Sequence, residues 1–171
     1  PELEICHYEI DRSVVQPSQT SVCQRTVIQD FIEKHGLRGK RSWEKRVPEV
    51  IFKSTNRQIA LFINSLYACD GWVDSKSIGY STSSKELAQD LQHLLLRFGI
   101  NAVIRTRPTH YKNKNGEKVH CRTAYRIEIS TAKDIHTFAE KIGILGKIEQ
   151  LTTLVKKKNK DLIYKNVQAH S

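Results

Sequence analysis

Asp70 closes an apolar stretch, Phe62-Ile63-Asn64-Ser65-Leu66-Tyr67-Ala68-Cys69, and Gly71 follows it directly. Ser65 and Cys69 are small and four residues apart, so they share one helix face. Small residues at that spacing let a second helix approach backbone to backbone. Asp70 is then pressed towards the matching acid of the partner helix. Two carboxylates that close repel unless a divalent cation lies between them. Read alone, the same ten residues also fit a buried helix ending in an Asp-Gly capping turn. The chemistry such a pair of carboxylates offers is metal-assisted.

The second set of candidate residues is cationic. Residues 1–70 carry 10 Lys/Arg against 9 Asp/Glu, and residues 71–171 carry 18 against 9, within a total formal charge of +10. A basic second half argues for a polyanionic partner such as nucleic acid. Over residues 101–108, strand alternation puts Val103, Arg105 and Arg107 on one face and Ala102, Ile104 and Thr106 on the other. Over residues 121–130, Arg122, Ala124, Arg126 and Glu128 alternate with Thr123, Tyr125, Ile127 and Ile129. A two-stranded ribbon carrying arginines fits the major groove of duplex DNA. Lys112, Lys114 and Lys118 in the intervening loop, with Lys76 earlier in the chain, suit phosphate contacts.

The elements that must hold these residues follow from periodicity and caps. The motif helix is predicted over residues 56–70, with strands at 72–74 and 77–82. A helix over 84–98 buries Leu87, Leu91, Leu94, Leu95 and Phe98, with Ser83 and Glu86 as a capping box and Gly99 as its stop. Strands at 101–108 and 121–130 flank a polar loop with Asn115-Gly116 as its turn. Thr131 caps a short helix that Gly143 ends. A last amphipathic helix turns Ile148, Leu151 and Leu154 inward and ends at Lys156-Lys157-Lys158.

Residues 28–40 repeat at 135–147. Seven of thirteen positions agree, including both Gly-Lys steps, Gly39-Lys40 and Gly146-Lys147. Chance gives about one identity, so this is an internal duplication. The unit between the copies is complete; the one before them has only two predicted strands, at 3–10 and 12–15. Residues 1–55 therefore read as the tail of a first repeat plus a linker, and residues 56–171 as a whole second repeat. The chain has no methionine, which predicts that it is a piece of a longer one.

The stretch ending Ala68-Cys69-Asp70-Gly71, the helix–strand order αββαββα and the Gly-Lys steps together resemble the LAGLIDADG homing endonucleases, most closely those embedded in inteins. Asn64 and Tyr67 depart from the best-known spelling. The resemblance implies an α+β fold whose antiparallel strands form a saddle over double-stranded DNA, and Mg²⁺-dependent double-strand cleavage. It implies that Asp70 and Gly71 lie at the metal, and that Lys147 and Lys40 act in chemistry, one per repeat. It also places Ser83 in an outer water network, a role that capping explains equally well. Ser65 and Cys69 would form the helix interface. With the first motif absent, the helix is expected to pair with another copy through Ile63, Leu66 and Tyr67. The alternative is a binding protein of the same fold that does not cut, such as a maturase or a transcription regulator. Lys147 and Lys40 also suit a plainer role as cations at helix C-termini.

Other classes fit less well. No apolar window reaches membrane-spanning length. The opening Pro1-Glu2-Leu3-Glu4 is not a signal peptide. Cys6, Cys23, Cys69 and Cys121 are dispersed, which predicts reduced thiols in a cytoplasmic setting rather than a disulfide framework. No splicing nucleophile stands at Pro1, and His170-Ser171 is not a splicing terminus.

Overall fold

A computed structural model describes residues 27–168. The two strands expected before residue 16, and Cys6 and Cys23, lie outside the described residues. The order is α1 (Val27–Lys34), α2 (Glu49–Phe52), α3 (Asn56–Asp70), β1 (Gly71–Val73), β2 (Ile78–Thr82), α4 (Lys85–Leu96), β3 (Val103–Arg107), β4 (His110–Lys112), β5 (Lys118–His120), β6 (Ala124–Ile129), α5 (Ala132–Lys141) and α6 (Ile148–Gln168). The fold is α+β. Four antiparallel strands run in the order β1-β2-β6-β3, and β4-β5 form a separate hairpin. From α3 to α5 this is the expected αββαββα order with one hairpin inserted.

Local chemistry starts and stops the helices where the fold needs them. Thr55 and Gln58 form a reciprocal capping box at the start of α3. The Thr131 hydroxyl accepts the Asp134 N–H at the start of α5. The cap of α4 is Ser84, not Ser83: its hydroxyl accepts the Leu87 N–H, and Glu86 approaches it at 3.4 Å. The capping box expected between Ser83 and Glu86 does not form: Ser84, held by donating to the Lys45 carbonyl, is a simple N-cap with Leu87 three residues on. Gly36 and Gly143 both adopt positive φ, 63° and 67°, and close α1 and α5 as the duplication predicts. The repeat extends to the turns: the Lys40 N–H donates to the Leu37 carbonyl as the Lys147 N–H donates to that of Ile144.

Helices α3, α4 and α5 cover one face of the sheet. Ile59, Ile63 and Tyr67 of α3 share a core with Ile78 and Tyr80 of β2, Ile127 and Ile129 of β6, the leucines of α4 and Phe138 of α5. Val47, ahead of α3, joins the same core. Ile63 and Tyr67 are therefore fully buried in their own domain, and the expectation that they mediate self-association is corrected. Each lies four residues from the last, so one stripe of α3 meets the sheet and the opposite stripe is left outside.

Two other readings change. The polar loop between the long strands is a hairpin. His110, Tyr111 and Lys112 pair with His120, Val119 and Lys118, and Asn113 organises the turn by accepting the N–H groups of Asn115 and Glu117. The last helix continues past Lys158 to Gln168. Leu151 and Leu154 are buried as expected, but Ile148 is 66% exposed because it starts the helix on the outer side of the Gly146 turn. No described helix is long and apolar enough to cross a membrane.

Tyr67 carries a testable cost. Its ring packs against Tyr80 and Phe138 at centroid distances of 5.5 and 5.1 Å. Its hydroxyl is buried with no hydrogen-bond partner among the described residues, and burial pushes the phenol well above its usual range. Tyr67→Phe keeps the ring and removes the orphan group. It is expected to raise stability by about 1 kcal/mol in urea unfolding; a loss of that size would show that the hydroxyl has a partner.

Candidate functional site

The end of α3 brings three of the predicted residues together. Asp70 is the last helical residue and Gly71 the first of β1. Gly71 adopts φ −83° and ψ 165°, extended backbone that any residue can take. Its smallness is needed for space: a Cβ there would stand 2.7 Å from the Tyr67 carbonyl oxygen and 2.8 Å from its Cα. The chain thus passes from helix to strand in one step, and the Gly71 N–H closes onto the Tyr67 carbonyl.

Lys147 reaches this helix end from the start of α6. Its ammonium donates to the carbonyls of Tyr67, Ala68 and Gly71 at 2.9, 3.0 and 2.5 Å. A cation on carbonyls at the end of a helix is favourable both as hydrogen bonding and against the helix dipole. Asn64 adds a second tie, donating to the Ile142 carbonyl and accepting the Leu145 N–H. The motif helix is therefore bound at two points to the turn that carries the second Gly-Lys step. Asn64, a departure from the common spelling, is explained by this tie, which no sequence pattern indicated.

The Asp70 side chain is exposed and makes no hydrogen bond or ion pair among the described residues. Its charge adds to burial in pushing the Tyr80 phenol up to about 12. Cys69 and Ser65 are exposed on the outer stripe of α3 with Leu61, which is 61% exposed. The Ser65 hydroxyl donates back to the Leu61 carbonyl, so it offers a small, internally satisfied surface. The described residues contain no group of three or more His, Cys, Asp or Glu that could hold a metal. Asp70 is a hard oxygen donor and fits as one ligand of a shared site. The Gly71 carbonyl is engaged by Lys147.

The sheet face away from the helices carries the arginines as the alternation predicts. Arg105 lies directly across from Arg126, and Val103 from Glu128. Glu128 pairs with Arg105 at 3.0 Å and with Arg126 at 3.6 Å. Arg126 also lies over the Trp72 indole, 4.5 Å from its centre. Trp72 in turn lies on Gly79, where a Cβ would stand 2.1 Å from the ring. Gly79 is bare because the indole occupies its space. Trp72, Gly79 and Glu128 thus fix Arg126 without having been singled out; the cross-strand register that joins them is invisible before pairing is known.

The remaining residues are dispersed. Arg107 is exposed at the end of β3. Lys112 and Lys118 face each other in the hairpin and share a face with His110 and His120. Lys114 is exposed near its tip, and Lys76 lies in a tight turn built on Asp74. Arg122 lies over Trp43. Lys40 lines a separate groove with Gly36, Val47 and Phe52. Ser83 lies at the end of the sheet near Arg122 and Thr123. The structure joins Asp70, Gly71 and Lys147; Lys40 and Ser83 line other grooves.

The molecule is thus an α+β module with a bare carboxylate at the end of a half-exposed helix and arginines on the open face of an antiparallel sheet. The model of the LAGLIDADG-like domain family matches residues 57–143. That is half of the chain, and the chain belongs to this family, a domain of the homing-endonuclease type. Similar stretches occur in curated proteins of different names. The chain is 38% identical over 135 residues to the replication factor C small subunit of Methanocaldococcus jannaschii, covering 78% of this chain and 7% of that protein. It is 38% identical over 130 residues to the replicative DNA helicase DnaB of Rhodothermus marinus, covering 72% and 13%. Protein RecA of Mycobacterium tuberculosis is 29% identical over 134 residues, covering 72% and 17%. The chain spans less than a fifth of each relative's length.

Proposed function

We infer that the chain is part of a site-specific, metal-dependent DNA endonuclease with two motif helices, carried as an insert within a host protein. The observation that supports it most is the free Asp70 carboxylate beside the bare Ser65–Cys69 stripe. A second motif helix laid on that stripe would bring its own acid against Asp70. Similar stretches within proteins named as different as a replication factor C small subunit, a replicative DNA helicase and RecA, each covering under a fifth of that protein, favour an insert such as those embedded in inteins.

In this reading Asp70 holds the divalent metal, Mg²⁺, with the opposing acid. Bound there, the metal would supply charge neutralisation and a more acidic water. Lys147 fixes the carbonyl end of α3 and so orients Asp70. Arg105 and Arg126, restrained by Glu128 and Trp72, present guanidiniums for base edges, while Arg107, Arg122, Lys76, Lys112, Lys114 and Lys118 meet phosphates. Lys40 belongs to the first repeat and would serve the other strand. Ser83 remains a candidate for the water network. All three Lys147 donors are engaged by carbonyls, which favours a second reading of a domain that binds nucleic acid without cutting it.

Two measurements test this. Binding to duplex DNA should weaken by tenfold or more between about 50 and 200 mM salt if several phosphates are contacted; a flat titration would sink the DNA reading. Cys69→Leu should leave the stability of this chain within about 0.5 kcal/mol, because the site is exposed. It should nevertheless abolish association through α3 in sedimentation equilibrium. A chain that is monomeric at every concentration, with or without the substitution, would count against a helix seam.

A further inference from the structure

A second cationic cluster stands ahead of β6, outside the paired strands. The Arg122 guanidinium lies over the Trp43 indole, 3.5 Å from its centre, and Arg41 approaches the same ring at 5.2 Å. Neither arginine has a carboxylate ion pair among the described residues. Two neighbouring acids have other partners: Glu44 accepts the Arg41 main-chain N–H, and Glu86, which lines the same groove as Trp43 and Arg122, accepts from the Ser84 hydroxyl. Lys85 lines the same groove as Trp43 and Arg122.

Trp43 is not loosely placed. The segment that carries it is strapped to α4. The Ser84 hydroxyl donates to the Lys45 carbonyl at 2.5 Å, the Val47 N–H donates to Asp90 at 3.0 Å, and Arg46 pairs with Asp90 at 3.5 Å. Val47, at 2% exposure, seats the strap in the core. Two guanidiniums held at one ring repel each other, and an anion between them removes that cost. A guanidinium matches a phosphate with paired hydrogen bonds. The indole restrains the Arg122 guanidinium from one side, which favours leaving its other side for a ligand.

We propose that Arg41, Trp43 and Arg122 form a clamp for a backbone phosphate of duplex DNA, so that the segment leading into the motif helix is part of the binding surface. This rests on the DNA-binding reading above. A phosphate contact carries no sequence information, so it can be measured without knowing the target.

The experiment titrates the full chain with a fluorescent duplex of about 30 base pairs and arbitrary sequence, following anisotropy from about 50 to 200 mM salt. Arg122→Gln and Arg41→Gln should each weaken binding several-fold and lower the slope of log affinity against log salt by about 0.9. Trp43→Ala keeps both charges and should still lose as much affinity as Arg122→Gln. Added to Arg122→Gln it should cost little more, and Trp43→Phe should restore binding. Circular dichroism checks the fold of the Trp43 variants; the two arginine variants are surface changes and stand independently. A wild-type chain that binds while both glutamine variants keep its slope overturns the clamp. A wild-type chain that does not bind the duplex overturns the clamp and the DNA reading together.

Discussion

On the two-motif endonuclease reading, Asp70→Asn in the complete protein is expected to abolish cleavage, by at least about a thousandfold, while duplex affinity stays within a few-fold. The exposed carboxylate has no hydrogen bond or ion pair among the described residues, so the amide disturbs none of them and removes only charge and ligand strength. The fold should be unchanged, since the helix end is held by backbone and by Lys147 rather than by the Asp70 side chain. Single-turnover cleavage and binding titrations on one preparation separate the two effects. Undiminished cutting would return Asp70 to the role of a turn residue. Parallel loss of folding would show an unseen structural contact.

Lys147→Met is expected to be the more damaging change to the protein itself. It deletes three charge-assisted hydrogen bonds at the end of α3 and leaves the Tyr67, Ala68 and Gly71 carbonyls without the ammonium. Hydrogen bonds to charged groups contribute about 1.5–3 kcal/mol, and three sharing one cation should together cost about 2–3 kcal/mol on loss. Urea unfolding measures this directly. Lys40→Met should cost almost nothing, because Lys40 is exposed and, among the described residues, only its main-chain N–H is bonded. If each lysine also serves one DNA strand, Lys147→Met in the complete enzyme leaves a nick on one strand and Lys40→Met on the other. Equal stability of both variants would refute the capping role. Equal slowing of both strands would refute the division of labour.

The contrast between these two lysines shows where sequence reasoning stops. Residues 28–40 and 135–147 share their helix, their glycine stop and their turn hydrogen bond, and all three were legible from one alignment of the chain with itself. Local properties copy with the residues because they depend on neighbours a few positions away. The contact of Lys147 with α3 joins residues some eighty positions apart. The described residues give Lys40 no equivalent helix end to cap. Identical spelling thus accompanies different surroundings.

The same division runs through the molecule. The span of α3, the four strands, the apolar and arginine faces of β3 and β6, and the glycine stops were determined by the sequence alone. Period 2 and period 3.6, capping hydroxyls and left-handed glycines are short-range facts. Only the tertiary structure separated the two stripes of α3 that the sequence placed together at a seam. Ile63 and Tyr67 were expected at a seam and are core, while Leu61, Ser65 and Cys69 are outside, because the sheet claims the more apolar stripe. It also decided that Ser84 rather than Ser83 caps α4, since the strap at Lys45 fixes that hydroxyl. Trp72 on Gly79 and Trp43 beneath Arg122 depend on register and on a distant segment docking. Side chains that meet only after strands pair and helices pack leave no periodic trace in the chain, and those contacts restrain Arg126, Arg122 and the end of the motif helix.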